Sequence, residues 1–337
     1  MMNVIFFGTQ AWSASFLKTL LQQPDIKIVA VVTQPDKPVG RHHVLTASSV
    51  KQLALKEGLL CLQPEKLKNP IFVSQLQQLN AEIGVVIAYG KLIPHSIIRS
   101  FPKGCLNVHP SLLPLWRGPS PIQSAILAGD TTSGVTIMLI DEQMDHGPIL
   151  DQFALPIDSQ ETPDSFIKKV IRVGGDFFIE TFFHYIQGSI KPHPQQDEQA
   201  TYCSLLTKED GRIDWNYSAN ELERKIRAFH PWPGTWTTIH LEHNLWRLKI
   251  LRAVCIDIQS PVLVGTLFLH NQHLCVATGQ GTLELVTLQP EGKTPMSAQE
   301  FVAGYGSWIG QKFSEVLPGF QAKRVKQTTE IPIQSDD

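Results

Sequence analysis

The chain reads as an α/β protein, with a doubly wound, mostly parallel Rossmann-like sheet followed by a small antiparallel β-barrel of OB-like kind. Three observations predict this. Apolar runs of strand length alternate with amphipathic helical stretches through residues 1–188. Residues 189–206 are polar and lack apolar periodicity, so they read as a linker. Short β-rich segments with glycine-containing turns then follow closely over 207–320, and 321–337 reads as a tail. A length of 337 residues suits two domains.

The elements follow in order. NVIFF (3–7) is a short apolar run ending at Gly8, and a helical pattern through Phe16, Leu17, Leu20 and Leu21 succeeds it. KIVAVVT (27–33) is β-branched and continuous, as buried parallel strands are. Helices are expected near 48–57 and 72–79, flanking LLCL, with a strand at 82–90 and another in GCLNVH. A helix at 120–127, the strand GVTIMLI (134–140) and the strand ILDQFALPI come next. A long helix over 165–186, with Gly174–Gly175 as a weak point, closes the first half. After the linker come a helix ELERKIRAF and the strands TWTTIHL, WRLKILRAVCI, GTLFLH, HLCVAT and GTLELVTLQP.

Composition excludes several classes. A hydrophobic content of 42% with 18% charged residues is globular. A net charge of −2 gives no bulk attraction to a polyanion, so any nucleic-acid contact must use local patches. No apolar run reaches the roughly 18 residues of a membrane span, and MMNVIFFGTQ lacks the basic start and cleavage site of a signal peptide. Five scattered cysteines form no CxxC pair, which argues against a disulfide framework or zinc knuckle and suits a reducing cytoplasm. FFGTQAWS lacks the GxGxxG cradle and there is no P-loop, so nicotinamide and nucleotide-triphosphate chemistry are not expected.

Two stretches carry the chemistry. In NVHPSLLPLWRG (107–118), alternate residues of a strand place Asn107 and His109 on one face, and Pro110 and Pro114 end the ladder. The pair therefore sits at a strand's C-terminal end, where open α/β sheets bind ligands. The sharp turn beside it predicts a cis Leu113–Pro114 bond. The second stretch, GVTIMLIDEQMDHGPIL, is a strand followed by a loop with Asp141, Glu142, Asp145, His146 and Gly147. Alone it could be a solvated acidic turn. Beside Asn107 and His109, a carboxylate can orient an imidazole or relay a proton, and a carboxamide can donate to an oxyanion. With no GxSxG elbow or activated cysteine, this set suits direct acyl transfer to an amine.

NVHPSLLPLWRG and DEQMDHG closely resemble the signature of the folate-dependent formyltransferases. TQPDKPVGR (33–41), IAYGKLIP, RIDW, IRAFHPWPG and LQPEGKTPMS, in that order, resemble the branch of that family that acts on charged initiator tRNA. The resemblance implies a catalytic set of Asn107, His109 and Asp145. It implies folate held by Ser111, Leu112, Leu113, Pro114, Asp141 and Gly147. It further implies 10-formyltetrahydrofolate as donor and methionyl initiator tRNA as acceptor. No third ligand is spaced to join His42 and His43 in a metal site, so no metal is expected, and no obligate protein partner is evident. Loop 34–49 would then enter the acceptor-stem side of the tRNA through Arg41, with Lys208 a second contact. Lysines usually follow that arginine in the family, where this chain has His42 and His43. Arg224, Lys225 and Arg227 are further candidates, and Lys323, Arg324 and Lys326 read as surface tail. Trp215, Trp232 and Trp236 read as barrel core. Amino-sugar formylation, hydrolysis of the same folate, and a non-catalytic folate- or RNA-binding module are the competing readings.

Overall fold

Strand β1 (Met2–Gly8) buries Val4, Ile5, Phe6 and Phe7 completely, so it needs cover on both faces and takes a central place in its sheet. The computed structural model describes residues 1–39, 44–241 and 244–314. They form two units. The first comprises Met1–Pro121, Thr132–Pro156 and Phe166–Tyr202, and the second comprises Ile122–Thr131, Ile157–Ser165 and the chain from Cys203 onward.

Along the first half run α1 (Ala11–Leu21), β2 (Ile26–Val32), β3 (Lys37–Val39), β4 (Val44–Thr46), α2 (Ser49–Lys56), β5 (Cys61–Leu62) and α3 (Pro70–Gln78). Then come β6 (Ile83–Ile87), α4 (His95–Ile98), β7 (Cys105–His109), α5 (Pro121–Ala128), β8 (Thr132–Leu139), β9 (Ile149–Pro156) and α6 (Pro163–Ile186). Among the described residues the sheet has seven strands in the order β5-β2-β1-β6-β7-β8-β9. Pairing is parallel from β5 to β7 and antiparallel from β7 to β9. On one face Ile5, Phe7 and Val32 pack with Phe72 and Leu76 of α3.

Helix α6 runs through Gly174–Gly175 without a break. A Cβ at Gly174 would lie 2.9 Å from Phe16, and one at Gly175 3.0 Å from the Thr19 hydroxyl. The glycines are thus a point of close approach to α1, where the sequence suggested a weak point. Residues 189–202 also differ from expectation. Their polarity predicted a linker, yet they belong to the first unit and bridge to it at Ile149–His193 and Arg117–Tyr202. A stretch without apolar periodicity can still spend its hydrogen bonds on the protein instead of water.

The second unit contains α7 (Ala219–Ala228), β10 (Thr235–Leu241), β11 (Asn244–Ile256), β12 (Leu267–His270), β13 (His273–Ala277), β14 (Thr282–Pro290), β15 (Met296–Ser297) and α8 (Ala298–Gly304). The strands pair antiparallel in the order β10-β11-β14-β13-β12, with β15 on β14. Residues 310–314 then bridge both edges, at Ile239–Phe313 and Thr266–Lys312, which gives the sheet its barrel-like form. Leu248, Ile250, Leu283, Leu285 and Phe301 fill its core. Both α7 and α8 start with a capping box, from Ser218 with Glu221 and from Ser297 with Glu300.

Candidate active site

β7 marks the change from parallel to antiparallel pairing, and its register sets Asn107 opposite Met138 and His109 opposite Thr136. Pro110 stops the ladder, and the chain turns at once. Asn107 is half-buried, and its amide makes no hydrogen bond to the described residues. His109 is only 4% exposed. Its Nε2 lies 3.0 Å from the Trp116 carbonyl oxygen, which can only accept, so Nε2 carries hydrogen. Its Nδ1 is 3.6 Å from Asp145 Oδ2. The Gly118 N–H donates to the same oxygen at 2.8 Å, leaving Asp145 Oδ1 without a partner among the described residues. The structure therefore brings His109 and Asp145 together and sets Asn107 two residues before His109 on the same strand, with an amide and a carboxylate oxygen still open.

The turn after β7 is held from two neighbouring strands. Thr136 Oγ1 donates to the Ser111 carbonyl at 2.7 Å and accepts from the Leu113 N–H at 3.1 Å. Gln152 Nε2 donates to the Leu113 carbonyl and to Thr136 Oγ1, each at 2.9 Å. Ser111 is fully buried and donates to the Leu115 carbonyl at 2.6 Å, so its hydroxyl stabilises the turn from inside. Leu113 is buried, Leu112 and Pro114 are half-buried, and the Leu113–Pro114 bond is cis, as the sequence predicted.

The facing loop has its own constraints. A Cβ at Gly147 would fall 2.0 Å from the Leu139 carbonyl oxygen, so only glycine fits. Asp141 Oδ1 accepts from the Gln143 N–H at 2.9 Å, and its Oδ2 lies 2.6 Å from His146 Nδ1. His146 Nε2 is 3.4 Å from Asp197. Arg117 also donates to Asp197, at 2.8 Å, and that bond holds the Asp197 carboxyl below the usual carboxylate range. Among the described residues, Arg117 is the largest side chain buried to this degree, at 1% exposure. Sequence reading assigns no role to Thr136, Gln152 or Arg117. Of these, only the arginine in WRG carried a signal, a long cation inside an otherwise apolar turn.

The candidates for tRNA contact fare unevenly. Arg41, His42 and His43 lie outside the described residues, as do Lys323, Arg324 and Lys326. The flanks of that loop pair as β3 and β4. Asp36 and Lys37 of TQPDKPVGR serve its base: Asp36 pairs with Lys51 at 2.7 Å and accepts from Gln63 at 2.8 Å, while Lys37 donates to Gln34 at 2.8 Å. The Lys51 bond holds the Asp36 carboxyl below its ordinary value. Lys208 is exposed. Arg224 instead donates to the Leu127 carbonyl, Arg227 to Glu223 and the Glu161 carbonyl, and Lys225 to the Arg212 carbonyl. Those three cations stabilise their own unit. Trp215 is core and stacks on Phe313 at 5.2 Å, while Trp236 is buried beneath Arg247 at 3.9 Å. Trp232 departs from expectation, at 51% exposed. A cleft of about 660 Å³ lined by Gln63, Lys66, Lys68, Asn69 and Phe72 contains none of the expected site residues.

Comparison with known proteins bears on the same regions. The formyl transferase family pattern matches residues 2–182, and that of the formyl transferase C-terminal domain matches residues 205–306. The chain is 43% identical over 307 residues to a methionyl-tRNA formyltransferase of Roseiflexus castenholzii, covering 90% of this chain and 96% of that one. It is 40% identical over 302 residues to the Thermodesulfovibrio yellowstonii methionyl-tRNA formyltransferase, again covering 90% and 96%. In fold it is similar to the sugar 3N-formyl transferase WlaRD, with a TM-score of 0.61, 19% identity, and coverage of 87% of this chain and 99% of that one. It is also similar to HypX of Aquifex aeolicus in complex with tetrahydrofolic acid, with a TM-score of 0.59, 15% identity, and coverage of 94% and 49%.

Proposed function

The chain belongs to the methionyl-tRNA formyltransferases, and we propose that it moves the formyl group by direct attack of the amine at the end of β7. It is a folate-dependent enzyme that formylates methionyl-tRNA for translation initiation. In this reading the donor is 10-formyltetrahydrofolate and the reaction runs in the cytoplasm. The observation that carries the mechanism is the pairing of an unengaged Asn107 amide with an unengaged Asp145 Oδ1, both beside His109.

The neutral α-amino nitrogen of the methionyl ester attacks the formyl carbon. Its free pKa of roughly 7.7–8.0 means that base assistance need only be modest. As the C–N bond forms, the carbonyl electrons move to oxygen, and Asn107 Nδ2 donates to that oxyanion. His109 provides a second donor when its Nε2–H turns from the Trp116 carbonyl to the oxyanion. Asp145 Oδ1 takes the proton from the attacking nitrogen and returns it to the folate N10 as the old C–N bond breaks. The products are formyl-methionyl-tRNA and tetrahydrofolate. Ser111 to Pro114 shape the folate side from within the turn, while Asp141 and Gly147 border it from the facing loop. Arg41 and Lys208 engage the tRNA, and residues 207–320 form its platform.

The test follows a labelled formyl group. Labelled formyl-folate is supplied with charged initiator tRNA, with a nucleotide-linked amino sugar, or alone. Label on the methionyl nitrogen is the expected result. Label on the sugar, or released as formate without an acceptor, would overturn the reading.

A further inference from the structure

Asp145 holds a left-handed backbone, with φ of 52°. Residues other than glycine adopt that region at a cost, so the surroundings must enforce it. We propose that Gln195 is the positioning residue that sets the Asp145 carboxylate, and that Arg117 orients it. Gln195 Nε2 donates to the Asp145 carbonyl at 2.9 Å and to the Gly147 carbonyl at 2.8 Å. Its Oε1 accepts from Arg117 Nε at 3.0 Å. The amide has one workable orientation. A guanidinium only donates and the two carbonyls only accept, so a flipped amide would lose all three bonds.

Arg117 is itself fixed. Besides Asp197, its guanidinium donates to the Tyr202 hydroxyl at 3.2 Å, and its backbone N–H donates to the Thr201 carbonyl at 2.9 Å. The result is a closed bracket. Gly118 holds the Asp145 carboxylate directly, while its neighbour Arg117 holds the Asp145 backbone through Gln195. Both ends of Asp145 are thus referenced to one dipeptide at the exit of the turn. With its carboxylate Oδ2 only 3.6 Å from His109, Asp145 has little room to rotate without leaving the imidazole.

The proposal rests on Asp145 as proton carrier, and the experiment separates the two. Full-length Gln195→Glu, Gln195→Met and Asp145→Asn, and each Gln195 change combined with Asp145→Asn, are assayed with formyl-folate and charged tRNA. Glu can still accept from Arg117 but sets negative oxygen against two carbonyls. Met fills the space with neither donor nor acceptor. Either Gln195 change should lower kcat on the order of 10- to 100-fold while the tRNA KM stays within about twofold, since misplacing a group by about 1 Å costs that much. In the Asp145→Asn background the same changes should cost nothing more, because their effect runs through Asp145. Unchanged kcat in the Gln195 variants, or a full second loss on top of Asp145→Asn, would overturn the proposal while leaving Asp145 in its role. Normal turnover in Asp145→Asn alone would remove the underlying reading and the proposal with it.

Discussion

The two units use polar side chains in opposite ways. In the first, bonds from Thr136 and Gln152 fix the turn after β7, and bonds to Trp116 and from Gly118 fix His109 and Asp145, while the Asn107 amide stays open. In the second, Arg224, Lys225 and Arg227 each go to a separate carbonyl or carboxylate of their own unit. Convergence that leaves one donor and one acceptor open is what a reaction requires. Dispersed cations tie segments together without making a centre. In the proposed mechanism the chemistry falls to the first unit, and the proposed role of the second is to hold the large substrate.

The sharpest way to break that contrast is a pair of substitutions. Asn107→Ala should lower kcat on the order of 100- to 1000-fold, the usual range for one oxyanion donor, with folate binding and thermal stability close to wild type. Leu283→Ala, at a fully buried position of the barrel core, should do the reverse. It should cost about 2–5 kcal/mol of stability in a denaturant titration, with kcat of the folded fraction retained. Near-normal turnover in the first, or a lost kcat in the fully folded second, would erase the distinction.

How much of this was legible beforehand also differs between the units. The strands of both were readable, because β-branched runs such as IKIVAVV and the short TWTTIHL carry their own signal. Asn107 and His109 were readable because strand periodicity sets them on one face. Their supports were not. Thr136 and Gln152 come from β8 and β9, and Gln195 lies 50 residues from Asp145, so only tertiary pairing reveals them. The misreading of 189–202 as linker has the same source, since a segment that bonds through polar groups has no apolar period. The fate of Arg224, Lys225 and Arg227 was equally hidden, because a helix sequence does not say which carbonyl a cation will meet.

A smaller effect sharpens the account of the second unit. Burial pulls the Lys225 ammonium down to about 8, against the opposing attraction of Asp210 and Asp214. The folded value lies below the unfolded one, so between about pH 8 and 10.4 the unfolded chain binds the extra proton and stability rises with pH. The gain should be about 1–2 kcal/mol in all, once the partial exposure of the side chain is discounted. Lys225→Met removes the penalty. Its Tm should exceed that of the wild type at pH 7, or fall short only by a fixed amount for the lost bond to Arg212. Wild type should gain on it as the pH is raised through this window. Parallel curves from pH 7 to 10.5 would show that Lys225 is charged in both states.

The smallest expected effect concerns Lys208, and it bears most directly on what the second unit is for. Lys208 is exposed, and its backbone carbonyl accepts from Trp236 Nε1 at 3.0 Å. Its main chain is therefore anchored to the barrel while its ammonium stays in water. Trp236 also lies beneath Arg247 at 3.9 Å and Arg212 at 5.6 Å, so several cations share that neighbourhood. In the proposed function a phosphate contact at Lys208 serves tRNA binding and not the chemistry at the amine. Lys208→Ala should then raise the tRNA KM a few-fold, leave kcat unchanged, and reduce the slope of log KM against log salt by about one. Arg41→Ala should behave differently, losing kcat as well, because a misplaced aminoacyl end reacts slowly even when the tRNA is bound. If Lys208→Ala leaves both KM and the salt slope where they were, the exposed ammonium is an ordinary solvated charge. If it lowers kcat instead, the second unit takes part in the chemistry and the division between the units fails.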